Sequence, residues 1–77
     1  MVQATVVTEA EAAQASEVER AIRAMSLSNC KQIVQGLPSA QVLVHVACND
    51  LPSLGETLTR ILALDGITRA TCVVLKR

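Results

Sequence analysis

Few side chains in these 77 residues could do chemistry: one histidine, His45, and three cysteines, Cys30, Cys48 and Cys72. A single histidine is too few for the common zinc patterns, and no two cysteines form a C-x-x-C pair. No acid, serine or cysteine stands at a spacing that would make His45 a general base. The three glycines are scattered, so no phosphate-cradling loop is expected. Each cysteine lies in or beside an apolar strand pattern, where an unpaired thiol behaves as a small hydrophobe. The cysteines are therefore expected to be structural and reduced, which suits a cytoplasmic address. Neither enzymatic activity nor a cofactor nor a metal is expected.

The remaining composition narrows the partners. Seven basic residues balance seven acidic ones, and there is no Phe, Tyr or Trp. Without a basic stripe, or aromatics to stack on bases, nucleic acid is not an expected partner. No apolar run approaches the roughly 20 residues that a bilayer needs, so no membrane insertion is expected. No signal peptide is apparent at the N-terminus. A chain of this length makes a single domain, residues 1–77, which buries only about 60% of its unfolded surface. Its core must be aliphatic. Either that core is sufficient, or association adds to it.

What must position His45 is a strand. The stretch "QVLVHVAC", Gln41 to Cys48, is the longest apolar run, and "GLPSA" before it supplies a turn through Gly36 and Pro38. "CKQIVQ", Cys30 to Gln35, reads as its antiparallel neighbour. Toward the N-terminus, "VQATVV" alternates as a first strand from Val2 to Val7. Thr8 and Glu11 then have capping-box spacing, which predicts a helix running to about Met25. Ala15, Val18, Ala21, Ile22 and Met25 form its apolar stripe, and Glu19–Arg23 forms an outward ion pair. "SLSN" breaks the pattern before the second strand.

A second helix opens near Asp50, with Pro52 in its first turn; Ser53 and Glu56 offer an alternative start. Its predicted stripe is Leu51, Leu54, Leu58, Ile61 and Leu62, with Gly55 available for a close approach to a neighbour. Gly66 is placed to end it in a left-handed cap, and "TRATCVVLKR" closes the chain as a fourth strand. The order strand–helix–strand–strand–helix–strand predicts an α+β fold of the ferredoxin-like split βαβ type (βαββαβ). In it, two helices cover one face of a four-stranded antiparallel sheet.

The second face is then the functional question. Alternation sends Val42, Val44, Val46 and Cys48 toward the helices, with Val2, Ala4, Val6, Ala70, Cys72 and Val74. It leaves Thr5, Val7, Leu43, His45, Thr71, Val73 and Leu75 outward. A one-residue slip in register would invert these sets. An outward face this apolar marks an interaction surface.

Two families share features with this chain. "PSAQVLVHV", the acidic Asp50 before the second helix, "LDGI" before the last strand and the "VVTEA" end of the first strand resemble the NapD family. These are cytoplasmic chaperones of periplasmic nitrate reductase. That resemblance implies that the open face, through the seven outward residues, binds the twin-arginine signal peptide of an exported molybdenum enzyme during its maturation. "DLPSLGETLTRILALDGITRATCVVL" is similar to the effector domain of Lrp/AsnC regulators. This second resemblance implies a homo-oligomer formed through the open sheet face, binding amino acids between subunits. An acylphosphatase on the same fold would need an Arg and an Asn around the first loop, and "TEAEA" has neither.

Overall fold

A computed structural model describes residues 1–25 and 29–77. The pattern break expected at "SLSN" falls mainly on residues 26–28, outside the described residues. The elements are β1 (Val2–Ala10), a 3-10 turn (Ala12–Gln14), α1 (Ala15–Arg23), β2 (Cys30–Leu37), β3 (Gln41–Cys48), α2 (Leu51–Leu62) and β4 (Ile67–Lys76). The sheet runs β2-β3-β1-β4, antiparallel throughout. This is the expected ferredoxin-like arrangement.

The first strand is longer than its sequence suggests. Thr8 does not cap a helix: it pairs with Val42 on one side and Ala70 on the other, and its hydroxyl donates to the Val42 carbonyl at 3.0 Å. The physical reason is competition. Strands flank Thr8 and Glu9 on both sides and satisfy their backbone groups at once, whereas the first turn of a helix orders several residues for one bond. The chain leaves the sheet only after Ala10, and α1 begins at Ala15 and ends at Arg23, two residues before Met25. Nine residues are too few for an isolated helix, so α1 depends on docking Val18 and Ile22, which are buried. The Gln32 side chain of β2 donates to the Ile22 carbonyl at 2.6 Å, which also accepts from the Met25 N–H at 3.1 Å, so β2 ties down the end of the helix. Glu19 and Arg23 pair as expected, at 3.1 Å.

The second helix starts at the first of its two predicted caps. Asp50 accepts from the Ser53 backbone N–H at 2.8 Å, and Pro52 sits in the first turn. Hydrogen bonds from Ser53, side chain before backbone, hold the Asp50 carboxyl below the usual carboxylate range. The buried stripe differs from the predicted one. Leu54 and Ile61 are buried and Leu58 is partly so, but Leu51 and Leu62 are exposed, and Thr57 is buried in their place. Leu62 lies a residue off the line through Leu54, Leu58 and Ile61, and Thr57 lies on it. The Thr57 hydroxyl donates back to the Ser53 carbonyl at 3.0 Å, so its burial leaves no donor unpaired. Gly55 has open space where a Cβ would stand, so it serves no close approach. Gly66 adopts a left-handed φ of 94°, but it does not cap α2: the helix ends at Leu62 with Ala63 as a right-handed C-cap, and Gly66 instead turns the chain into β4.

The core between helices and sheet is aliphatic: Val2, Ala4, Val6, Val42, Val44, Val46 and Cys48 from the central strands, Val34 from β2, and Val18, Ile22, Leu54 and Ile61 from the helices. The inward sets from β1 and β3 are as predicted. At the β4 edge coverage runs out, and Val74 stays 43% exposed although it points to the helix side.

One expectation about the cysteines is corrected. Cys30 and Cys48, 18 residues apart in sequence, face each other in register across β2 and β3 and form a disulfide. Their spacing gave no sign of pairing because strand register, not sequence distance, brings them together. Cys72 is the free thiol, and partial burial raises its pKa.

Candidate binding face

The face opposite the helices can be read as rows across β2, β3, β1 and β4. Registers align Lys31, Ala47, Gln3 and Lys76 in one row, then Ile33, His45, Thr5 and Val73. The next row is Gln35, Leu43, Val7 and Thr71, and the last is Leu37, Gln41, Glu9 and Arg69. All seven residues expected outward therefore share this face. Leu75 joins it through an irregularity in β4, where Ala4 pairs with Val74 but Gln3 pairs with Lys76.

The middle of the face is apolar at its flanks and polar at its centre. Ile33 is 71% exposed, Val73 50% and Leu75 63%. Between the flanks, Thr5 Oγ1 and His45 Nδ1 are 3.0 Å apart and hydrogen-bonded. Ile33 and Lys31 were not among the expected site residues. "QIVQ" has two adjacent apolar residues, so alternation could not choose which of Ile33 and Val34 faces out. The register to β3 decides it, with Val34 opposite Val44 and Ile33 opposite His45.

No protein-family model matches the chain, and no curated protein matches it by sequence. Solved structures do match. The solution structure of the E. coli Tat proofreading chaperone protein NapD aligns with a TM-score of 0.77 and 21% identity, over 97% of this chain and 77% of NapD. The fold is NapD-like. The crystal structure of TTHA0845 from Thermus thermophilus aligns with a TM-score of 0.74 and 22% identity, over 100% of this chain and 95% of that one. MtbAldR aligns with a TM-score of 0.74 and 20% identity, over 99% of this chain but 52% of its own length.

On this NapD-like sheet the open face carries a depression of about 260 Å³, lined by Gln3, Lys31, Ile33, His45, Ala47 and Leu75 together with Ala4, Gln32 and Val46. It forms because the outward series of β3 shrinks from Leu43 to Ala47. A larger cleft of about 880 Å³ lies at the other side of the molecule, between α1 and the β2–β3 hairpin. Glu19 and Arg23, which border it, are paired with each other, and the Glu19 carboxylate lies over Gly36. Among the described residues no three His, Cys, Asp or Glu side chains are grouped as metal ligands, and no helix is long and apolar enough to cross a membrane.

Proposed function

We propose that this protein is a non-enzymatic peptide-binding chaperone whose open sheet face docks the twin-arginine signal peptide of an exported molybdenum enzyme, such as a nitrate reductase catalytic subunit. The observation that carries this reading is the uncovered face itself. An antiparallel sheet wetted on one side ordinarily turns polar residues to the water. Here Ile33, Val73 and Leu75 stand exposed around Thr5, Val7, Leu43, His45 and Thr71. The fold likeness to NapD, a Tat proofreading chaperone, supports the choice of a signal peptide as occupant. An apolar helical segment suits such a face, because a helix lays a stripe of aliphatic side chains along a surface. Binding before export requires a cytoplasmic site of action.

The test is a titration of the protein with a twin-arginine signal peptide, followed by amide NMR shifts. Shifts at Leu43, His45, Val73 and their row neighbours are expected. Shifts confined to α1 and α2, or none, reject the reading.

The fold likeness to MtbAldR favours one alternative, an Lrp/AsnC-type effector domain that oligomerises through the same face and binds amino acids between subunits. It predicts a dimer or ring in sedimentation and a rise in thermal midpoint with a free amino acid. A monomer indifferent to amino acids excludes it.

A further inference from the structure

The open face differs at its two ends, and we propose that this difference sets the direction in which the peptide docks: its arginines lie at the Glu9 end, and an aliphatic side chain seats in the depression above Ala47. The inference rests on the peptide-chaperone reading.

The charges divide by strand end. At the Ala47 end are Lys31 and Lys76 in the same row, with the Arg77 side chain beyond, against the side chain of Asp50. At the other end are Glu9, Glu11 and Asp65 against Arg69, which stands across from Glu9 in the register. Glu11 and Asp65 are exposed there, the chain being tied by the Glu11 N–H to the Gly66 carbonyl at 3.1 Å. Gln3 and Glu9 are six residues apart on β1, about 20 Å at ~3.4 Å per residue. That exceeds the Debye length of about 8 Å at physiological salt, so each end acts locally on whatever charge sits over it. A twin-arginine segment over the Lys31–Lys76 row meets like charge; at the other end Arg69 offsets Glu9 on the face itself, and the exposed Glu11 and Asp65 in the adjoining turns supply opposite charge. Like charges placed together oppose docking, and this selects one direction.

The depression supplies the second anchor. Its walls are chiefly aliphatic, from Ile33, Ala47 and Leu75, and its volume is about 260 Å³. An aliphatic side chain of a peptide suits such walls, because seating it against Ile33, Ala47 and Leu75 removes apolar surface from water. A separation of about 20 Å equals about 13 residues of helix at ~1.5 Å per residue. The peptide's anchor residue is therefore expected about 13 positions after its arginines.

The experiment uses the full chain and a twin-arginine signal peptide with a nitroxide placed either beside the arginines or about 13 residues later. With the first label, amide signals of Glu9 and Gln41 should broaden; with the second, those of Gln3 and Ala47. The reverse pattern, or equal broadening at both ends, overturns the direction. Ala47→Leu fills the depression from the solvent side and should lower affinity about tenfold, while Ala47→Ser preserves it and both thermal midpoints stay near wild type. Equal affinity for Ala47→Leu and wild type overturns the anchor. A wild-type chain that binds neither labelled peptide fails earlier, and that result sinks the chaperone reading along with this one.

Discussion

Thr5 Oγ1 and His45 Nδ1 stand 3.0 Å apart in the centre of the open face, directly opposite each other across β1 and β3. The bond engages one ring nitrogen of an exposed imidazole. Thr5→Val removes it. Because this pair is at the surface, stability should change by no more than about 0.5 kcal/mol. The imidazole tautomer ratio should shift, as read by long-range proton–nitrogen correlation spectra. An unchanged ratio means that the hydroxyl does not hold the ring.

Thr8 is fully buried and donates to the Val42 carbonyl. Thr8→Val keeps the shape and loses that bond, so urea unfolding should show a loss of about 1 kcal/mol. Glu11→Ala should be nearly silent, since Glu11 lies outside any capping box. If Glu11→Ala instead matched the loss at Thr8, the helix would start where its sequence says rather than where the strand ends.

Gly66 and Gly36 should respond differently to alanine. At Gly66 the left-handed φ of 94° and the nearby Gln14 side chain oppose a Cβ. Gly66→Ala should cost about 1 kcal/mol or more. At Gly36 a Cβ meets only the carboxylate of Glu19, the far end of a flexible side chain. Gly36→Ala should stay within about 0.5 kcal/mol, because a strand glycine is itself unfavourable. Thermal melts of the two variants give the comparison, and equal losses would contradict it.

The Cys30–Cys48 bond closes a loop of 18 residues in sequence separation. By loop-closure entropy its reduction should lower stability by about 3 kcal/mol. Urea midpoints with and without reductant measure this, with Cys48→Ala as the variant that reductant leaves unmoved. Identical wild-type midpoints in both conditions would show that the bond does not form in solution.

Asp50 gives a dependence on acid. Its folded pKa lies below its unfolded value because Ser53 bonds stabilise the carboxylate. The cap's contribution is therefore complete above the ordinary carboxylate range and is lost as pH falls through the depressed folded value. Asp50→Asn keeps a capping group without the charge, so the wild type's higher thermal midpoint should shrink toward that of the variant on acidification. A constant gap from neutral to strongly acidic pH would assign the effect elsewhere.

Much of this protein is legible in its sequence. Alternation along "VQATVV" and "QVLVHVAC" is enough to sort inward from outward residues, because side-chain period in a strand is two and only one face can meet the helices. Asp50 marks the start of α2 by local chemistry alone, through a cap oxygen, and Gly66 marks the turn into β4, through a left-handed backbone. Those features are local, and the residues that encode them are neighbours.

What the tertiary structure alone decided is everything that depends on who stands beside whom. Thr8 carries a sound helix-start pattern, yet two flanking strands claim its backbone. Cys30 and Cys48 are distant in sequence and opposite in register. Ile33 and Val34 look interchangeable until β3 pairs with them. The charge difference between the Lys31–Lys76 row and the Glu9 end is invisible in a balanced composition, because antiparallel pairing gathers residues from opposite ends of the chain onto one end of the sheet.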